Sequence, residues 1–223
     1  MAEGTLAELK RAILRYDVEA AQRWARQSVQ EEIDPLESID AMTAAIREVG
    51  DGFGRGELWL PDLIGAANAM KHSAPIIEEE IRRAGLSRAS AGSVVIGTVF
   101  GDIHDIGKNM VITLLTAGGF TVHDVGVNAT AQELVAAVER HQPDILAMSA
   151  LMTMTSLEQS KTIEGLEKAG LRERVKVMVG GAAITQSFAD DIGADGYDAS
   201  ATGAVTLAQR LMGTNAEDPS ECR

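Results

Sequence analysis

Gly101-Asp102-Ile103-His104-Asp105-Ile106-Gly107-Lys108-Asn109 is the stretch that decides the fold of the second half of this chain. An apolar, β-branched run over 93–99 precedes it, and an amphipathic run over 110–117 follows it. This order predicts a strand, a polar loop and the start of a helix. Ligands bind at the carboxyl ends of strands in open α/β sheets. The stretch therefore predicts a ligand site in the loop.

Within this loop, His104 follows Asp102 by two positions. A metal-ligating imidazole usually has its second nitrogen held by a carboxylate, which fixes its tautomer and its basicity. The same pair could instead form a structural hydrogen bond without any ligand. Asp102, His104 and Asp105 could together hold zinc or iron, although no second His or Cys lies nearby. The motif also resembles a phosphate-binding loop, but it is one residue too long and has Asn109 where Ser or Thr binds magnesium.

The second half of the chain alternates between strand-like and helix-like runs. Five successive βα units predict an α/β fold with a doubly wound, five-stranded parallel sheet. A flavodoxin-like sheet of this kind has the strand order 2-1-3-4-5, with a ligand crevice between its first and third strands. The predicted strands are 93–99, 120–125, 144–149, 175–179 and 195–198, and the predicted helices are 107–118, 130–141, 155–169, 184–192 and 202–212.

The first half contains four amphipathic runs with short connections, which predict a four-helix bundle. Asp17 and Asp34-Pro35 are expected to cap the starts of the second and third helices. The fourth helix is expected from Leu60-Pro61-Asp62 to about Ala84. The glycines before it are expected to form a turn with hinge-like freedom; they are Gly50, Gly52, Gly54 and Gly56.

These patterns divide the chain into three predicted parts. A helical domain over 1–88 is followed by a sheet domain over 89–215 and a tail over 216–223. The segment 85–92 is small, polar and bounded by glycines, which is typical of a linker. The single cysteine, Cys222, lies in the tail and cannot form an internal disulfide.

The composition limits the class of protein. The chain has 223 residues, of which 45% are hydrophobic and 24% charged, as in ordinary globular proteins. No apolar run approaches the ~20 residues that span a bilayer. The N-terminus has no signal-like apolar core, so we expect a cytoplasmic protein without a membrane partner. The net charge of −13 argues against nucleic acid and anionic membranes as partners.

Two further loops are expected to line the crevice. Ser149 follows the third predicted strand and is expected to reach Asp102, which gives a chain Ser149–Asp102–His104. Ser149 could also cap the next helix. Gly180-Gly181 ends the fourth predicted strand. Paired glycines there either let another chain segment or a long ligand pass close to the backbone, or form a tight turn.

The helical half contains Gly56-Glu57-Leu58-Trp59-Leu60-Pro61, which places a large aromatic side chain before a proline-started helix. Trp59 is interpreted either as part of the bundle core or as a hydrophobic lid over a bound cofactor. The histidines outside the loop have no partner pattern and are expected on the surface; they are His72, His123 and His141.

Three linked motifs resemble the cobalamin-binding domain shared by corrinoid methyl carriers, methionine synthase and some mutases. These motifs are Asp102-x-His104-x-x-Gly107, Ser149-x-Leu151 and Gly180-Gly181. The full sequences of four segments resemble the corrinoid proteins of methylotrophic and acetogenic methyltransferase systems; these segments are 101–109, 148–153, 179–182 and 192–197. The segment 56–61 resembles the cap motif of the same group, with Trp where Phe is common. The resemblance covers residues 5–212.

The resemblance implies a bound cobalamin or related corrinoid, whose cobalt alternates between methylcob(III)alamin and cob(I)alamin. His104 would be the cobalt ligand in place of the cofactor's own dimethylbenzimidazole, and Asp102 and Ser149 would complete the catalytic set. The displaced nucleotide tail would lie in a groove of the sheet. The implied cofactor-binding residues are Gly101, Asp102, Ile103, His104, Asp105, Ile106, Gly107, Ser149, Leu151, Thr153, Gly180, Gly181, Ala199, Trp59 and Met70.

The implied function is that of a methyl carrier in one-carbon metabolism, with a helical cap before the cobalamin-binding domain. It would accept a methyl group from a substrate:corrinoid methyltransferase and deliver it to a corrinoid:tetrahydrofolate or corrinoid:thiol methyltransferase. A reductive activating protein would restore oxidised cobalt. The alternatives are a cobalamin-dependent sensor and the cobalamin subunit of a mutase. No residue identifies the methyl donor, which in such systems is methanol, a methylamine, a betaine or a methoxylated aromatic.

Overall fold

The computed structural model describes residues 2–85 and 90–213. The chain divides into two compact units, Met1–Ala89 and Ser90–Arg223. None of the helices in the described ranges has the length and apolarity that a membrane span requires. The centre of the predicted linker, 86–89, and the predicted tail with Cys222 lie outside the described residues.

The described part of the helical unit is built from four α-helices. Two predicted caps are confirmed: Asp17 accepts a hydrogen bond from the backbone N–H of Ala20 at 2.9 Å, and Asp34 accepts one from Leu36 at 2.8 Å. The helices are α1 (Ala2–Leu14), α2 (Val18–Gln30), α3 (Pro35–Gly54) and α4 (Leu60–Arg83). Fully or almost fully buried apolar side chains at helical spacing form the core, among them Leu9, Ile13, Ile39, Met42, Ile46, Leu63 and Ile77.

The glycine-rich segment before α4 differs from the expectation. Gly50, Gly52 and Gly54 lie inside α3, so the predicted hinge was wrong for these three residues. Gly52 has a packing role instead, because a Cβ there would lie 2.9 Å from Cδ1 of Leu58. Gly56 does lie in the turn, with a φ of +73° that side chains rarely adopt. The turn is therefore shorter than the glycine content indicated.

The second unit contains a five-stranded parallel sheet with the strand order β2-β1-β3-β4-β5, which confirms the predicted fold class. Its strands are β1 (Ser93–Val99), β2 (Thr121–Ala129), β3 (Ile145–Ser149), β4 (Lys176–Gly180) and β5 (Gly196–Tyr197). Its helices are α5 (Ile106–Ala117), α6 (Ala131–His141), α7 (Thr153–Lys168), α8 (Gln186–Asp191) and α9 (Ala201–Leu211), and a short 3-10 helix covers Arg172–Arg174.

Each face of the sheet has its own apolar core. Neighbouring residues of a strand point to opposite faces, so Val95 packs into one core and Ile96 into the other. The core with Val95 includes Leu134 of α6, and α7 and α8 contribute to it as well. The core with Ile96 includes Leu207 of α9 and Leu115 of α5. Helices α5 and α9 therefore cover the same face.

Strand β2 is longer than predicted. Ile96 pairs with Asp124 and Gly97 pairs with Gly126, so the register shifts between these two pairs. Gly126 has a φ of +96°, and a glycine inside a strand often marks a bulge rather than an end. His123 on this strand stacks on His141 with ring centroids 4.2 Å apart. The expected lack of a partner was therefore wrong for both histidines. His141 is exposed, as expected, whereas His123 is partly buried.

Candidate functional site

The loop after β1 holds His104 through the carboxylate of Asp102, which is fully buried. Oδ1 of Asp102 accepts a hydrogen bond from the backbone N–H of His104 at 3.0 Å. The same oxygen lies 2.7 Å from the ring atom Nδ1 of His104. The His104 side chain is 51% exposed. One carboxylate oxygen therefore orients both the backbone and the ring of a half-exposed histidine.

The other oxygen of Asp102 is held by the loop and helix that follow β3. Oδ2 accepts hydrogen bonds from the backbone N–H groups of Leu151 at 2.8 Å and Met152 at 3.4 Å. It also accepts one from the hydroxyl of Thr155 at 2.9 Å, a buried residue in the first turn of α7. Ser149 is not among these donors, so the predicted contact between Ser149 and Asp102 was wrong. The hydroxyl comes from Thr155 instead.

The hydrogen bonds around Asp102 keep it ionised. Burial raises the pKa of this carboxyl, but the hydrogen bonds from His104, Leu151 and Thr155 outweigh burial and hold the pKa well below its usual range. An ionised carboxylate can only accept, so Nδ1 of His104 carries the proton and donates it. Nε2 then has a free lone pair, and no described residue bonds to it. The imidazole is thus oriented as a metal ligand.

Two residues that the sequence did not single out hold the backbone of the loop. Asn128, at the end of β2, accepts a hydrogen bond from the N–H of Gly101 at 2.8 Å through Oδ1, and its own N–H donates to the carbonyl of Asp102 at 2.9 Å. Its φ of +55° is uncommon outside glycine. The hydroxyl of Thr98 donates to the carbonyl of His104 at 3.0 Å. No sequence pattern marks either residue as part of a site.

A cavity of about 330 Å³ opens beside His104 within the sheet unit. This volume falls in the range of small-molecule sites, ~300–1,000 Å³. Residues of α5 and α9 and of the carboxyl halves of β1, β3 and β4 line it. The predicted cofactor-binding residues among its lining are His104, Gly107, Ser149, Leu151, Gly180, Gly181 and Ala199.

Gly181 allows two loops at the edge of this cavity to approach each other. It has a φ of +120°, and a Cβ there would overlap the carbonyl oxygen of Ala150. The N–H of Ala150 donates to the carbonyl of Gly180 at 3.0 Å. The close approach expected at the paired glycines is therefore made by the loop after β3, while both glycines also line the cavity.

The other predicted residues of the sheet unit do not line the cavity. Gly101 has a φ of +80°, and Asp105 accepts a hydrogen bond from the side chain of Asn109 at 3.0 Å, so both shape the loop. Thr153 is an exposed residue at the start of α7. Large apolar side chains are exposed in the segments after β1 and β3, which is uncommon for so small a region; they are Phe100, Ile103, Ile106, Leu151, Met152, Met154 and Leu157.

The two predicted residues of the helical unit differ in exposure. Met70 is buried, whereas Trp59 is 74% exposed. Trp59 directly precedes α4, and its backbone N–H donates to Oδ2 of Asp62 at 2.7 Å. The interpretation of Trp59 as bundle core was therefore wrong. Its contact with a cofactor stays a prediction.

Two alternative sites are contradicted by the geometry. Within the described ranges, no group of three or more His, Cys, Asp or Glu side chains could hold a metal ion, so the zinc or iron site with Asp105 was wrong. Lys108 is not available to a phosphate, because its buried Nζ lies 2.7 Å from both carboxylate oxygens of Asp124. A single open imidazole beside a cavity instead suits a metal that brings its remaining ligands in a macrocycle.

Both halves of the chain match known families. The family described as B12 binding domain matches residues 92–206, and a second family with the same description matches residues 5–77. The fold and the site therefore place this chain in the class of B12-binding proteins that have a helical part before the sheet domain.

Relatives narrow this class. The chain is 43% identical over 211 residues to the trimethylamine corrinoid protein of Methanosarcina barkeri. The aligned residues cover 94% of this chain and 97% of the relative. It is 40% identical over 210 residues to a corrinoid protein of Desulfitobacterium hafniense, with 93% and 97% covered. A chain in the structure of the methanol:cobalamin methyltransferase complex MtaBC from Methanosarcina barkeri has a TM-score of 0.86 at 28% identity, with 95% and 81% covered. This chain belongs to the corrinoid proteins of methyltransferase systems, which bind cobalamin or a related corrinoid.

Proposed function

We propose that this protein carries a methyl group on the cobalt of its corrinoid between two methyltransferases. The observation that supports this most strongly is the half-exposed ring of His104, with Nδ1 held by Asp102 and Nε2 open beside the cavity. The corrinoid supplies the cobalt that accepts and releases the methyl group. The residues of the chain supply the ligand and its orientation.

His104 is the proposed cobalt ligand. Its Nε2 can donate a lone pair because Asp102 keeps the proton on Nδ1. The carboxylate of Asp102 also keeps the ring of His104 oriented when Nε2 is not bound to metal. Thr155 holds the second oxygen of this carboxylate at 2.9 Å. The chain Thr155–Asp102–His104 is therefore proposed to set the strength of the ligand.

The cavity is the proposed site of the nucleotide tail of the corrinoid. It begins beside His104 and continues along Ser149, Gly180 and Ala199. The exposed side chains of Ile103 and Ile106 are proposed to contact the corrin ring, since burying apolar surface stabilises a complex by about 25 cal/mol per Å². The proposed cofactor site thus has a polar centre at one histidine and apolar surroundings.

A methylamine is the proposed methyl donor. Several relatives at 40–43% identity are named trimethylamine or dimethylamine corrinoid proteins. A chain of the methanol complex has 28% identity, as has a monomethylamine corrinoid protein, so the proposal rests on the trimethylamine and dimethylamine relatives. A substrate:corrinoid methyltransferase is the proposed first partner. The proposed second partner is a corrinoid:tetrahydrofolate or corrinoid:thiol methyltransferase, because a carrier needs an acceptor. A reductive activating protein is proposed because cobalt that is oxidised between cycles must be reduced again.

The cobalt ligand can be tested by electron paramagnetic resonance of the protein reconstituted with cobalamin in the Co(II) state. Labelling the protein with heavy nitrogen should change the nitrogen splitting of the cobalt signal in the wild type. His104→Ala should lose this protein-derived splitting. His72→Ala is the matched control, because His72 is exposed and its ring bonds to the carbonyl of Asn68, four residues away. Protein-derived splitting that persists in His104→Ala excludes His104 as the ligand.

The methyl donor can be tested separately with the Co(I) protein. Purified trimethylamine, dimethylamine, monomethylamine and methanol methyltransferases are each supplied with their own substrate, and the absorbance change on cobalt methylation is followed. We expect methylation with an enzyme specific for a methylamine. Methylation with the methanol enzyme alone would contradict the proposed donor and leave the carrier role unaffected.

A further inference from the structure

We infer that the cavity selects corrinoids by the polarity of their lower base and favours an apolar ring, such as a benzimidazole, over a purine. The inference rests on the proposed function, because it places the nucleotide tail in the cavity. It goes further in assigning a specificity to the residues at the bottom of that cavity. Three features of the lining support it: the side chains, the strand backbone and the pairing of the polar groups.

The first feature is an apolar floor. Ile96 of β1, Ala147 of β3, Met178 of β4 and Ala204 of α9 line the cavity, and all four are buried. They belong to one core cluster, against which Val111 of α5 also packs while it lines the cavity. A ring that reaches the floor therefore contacts hydrocarbon.

The second feature is the strand backbone under this floor. Strands β1 and β3 pair without a register shift from Val94 to Thr98, and β3 and β4 pair in the same way from Ile145 to Ser149. The N–H and C=O groups of these parallel strands are used in the ladder between them. The backbone of the floor thus offers a ligand neither a donor nor an acceptor.

The third feature is the pairing of the polar side chains in the lining. Among the described residues, none bonds to Nε2 of His104 or to the hydroxyl of Ser149, and both lie beyond or at the carboxyl ends of β1 and β3, whereas the remaining polar side chains are engaged. The hydroxyl of Ser200 donates to Oδ1 of Asp198 at 2.9 Å and accepts from the N–H of Gly203 at 2.9 Å. The same oxygen of Asp198 accepts from the backbone N–H of Ser200 at 2.8 Å. The ammonium group of Lys108 is paired with Asp124. Lys108 is thus not available to the ligand. Asp198 and Ser200 follow β5 at the carboxyl ends of the strands, so they can meet the sugar-phosphate part of the tail but not the far edge of the base.

The two classes of base differ most at that far edge. The six-membered ring of a benzimidazole has only carbon atoms, whereas that of adenine has two ring nitrogens and an exocyclic amine. A polar group that is buried without a partner weakens binding roughly tenfold to hundredfold. The floor described above would leave several such groups of adenine unpaired, and it would accommodate the methyl groups of dimethylbenzimidazole.

The test measures the dissociation constants of three corrinoids for the full chain by anaerobic calorimetry. The probes are cobalamin, adeninylcobamide and cobinamide, which lacks the tail. All are used in the Co(I) state, because cobalt there has no lower ligand and the coordination of the free base does not bias the result. We expect adeninylcobamide to bind roughly tenfold to hundredfold more weakly than cobalamin. Cobinamide should bind more weakly than cobalamin as well.

Each contrary outcome has a distinct meaning. If adeninylcobamide binds as tightly as cobalamin, the cavity does not select the base and the inference is overturned. If cobinamide binds as tightly as cobalamin, the tail does not use the cavity and the inference is again overturned, while the carrier function stands. If none of the three corrinoids binds, the proposed function is overturned together with the inference.

A pair of variants tests whether the cavity wall sets the selectivity. Met110 of α5 lines the cavity, and Met110→Gln keeps the length of the side chain while adding an amide that can pair with adenine. The ratio of the two dissociation constants, adeninylcobamide over cobalamin, should fall severalfold. Met212→Gln is the matched control, because Met212 packs against the same core but does not line the cavity. An unchanged ratio in a folded Met110→Gln protein would overturn the inference.

Discussion

The loop after β1 and the segment before α4 both carry residues proposed to contact the corrinoid, yet they are built in opposite ways. His104 is held by Asp102, whose second oxygen is bonded to Thr155, 53 residues further along the chain. Trp59 is bonded through its backbone to Asp62, three residues away, and its side chain is 74% exposed. A long-range hydrogen bond thus fixes the first site directly, whereas the backbone of Trp59 is held by a bond within the same turn and its side chain is largely exposed. Substitutions in the first should change stability and ligand binding together, and those in the second should leave stability unaffected.

Among substitutions near the His104 site, Gly181→Ala should have the largest effect on stability. The new methyl group would overlap the carbonyl of Ala150, and the backbone would be strained at a φ of +120°. We expect the free energy of unfolding to fall by about 3 kcal/mol or more in urea denaturation. Gly170→Ala is the matched control, because Gly170 has a φ of +68° but open space around it. It should cost about 1–2 kcal/mol, and equal costs for the two variants would mean that the loops can separate easily.

Asp102→Asn should have the next largest effect. The amide has one acceptor oxygen, so some of the donors from His104, Leu151 and Thr155 lose their partner. We expect a loss of about 1–3 kcal/mol in the free energy of unfolding and about 10–100-fold in corrinoid affinity. The control is Asp105→Asn, an exposed residue of the same loop, with near-wild-type values expected. Wild-type corrinoid affinity in Asp102→Asn would contradict the proposed role of the carboxylate.

The contribution of Asp102 to stability should also depend on pH. Its pKa is lower in the folded chain than in the unfolded chain, so the stabilisation is complete above the unfolded value of about 3.9 and is lost as the pH falls toward the folded value. The difference in unfolding free energy between wild type and Asp102→Asn should shrink as the pH falls from about 5 to below about 4. Urea denaturation at each pH measures it. A difference that grows over this range would contradict the direction of the pKa shift.

Thr155→Val should have a smaller effect, because it removes one hydroxyl and keeps the shape of the side chain. One buried oxygen of Asp102 then loses one of its donors, which should cost about 1 kcal/mol. Ser149→Ala is the paired variant, since Ser149 does not bond to Asp102, and it should change stability by less than about 0.5 kcal/mol. The Co(II)/Co(I) potential of the bound corrinoid should shift in Thr155→Val and not in Ser149→Ala. The reverse pattern would restore the predicted chain through Ser149.

The fold could be predicted largely from hydrophobic periodicity, because periodicity records which side of each element faces a core. The strand at 93–99 was predicted at its observed bounds for this reason. The errors fell at glycines, whose conformation depends on neighbours that are distant or unrecognised in the sequence. Gly52 is helical and packs on Leu58, and Gly126 lies at a bulge inside β2 rather than at its end.

The site could be predicted only in part. The pair Asp102 and His104 could be predicted because only one residue separates them. Gly180-Gly181 could be predicted at the same cavity because the carboxyl ends of neighbouring parallel strands lie together. Thr155 could not be preferred over Ser149 from the sequence, since both are hydroxyl residues near the start of α7 and only the course of the chain decides which one reaches the carboxylate. The role of Asn128 depends on its left-handed backbone conformation, which no local sequence pattern predicts.

Trp59→Ala tests the segment before α4 and should have the smallest effect on stability. A side chain that is 74% exposed loses few contacts on truncation, so the free energy of unfolding should change by less than about 0.5 kcal/mol, whereas truncating a buried aromatic residue costs about 3–5 kcal/mol. If Trp59 shields the corrinoid, as the resemblance implies, the cofactor should stay bound through His104, while photolysis and air oxidation become faster because solvent reaches the cobalt. Trp59→Phe keeps an apolar ring and should behave like the wild type. Unchanged rates of photolysis and oxidation in Trp59→Ala would contradict the lid, and the exposed ring would then require a different partner.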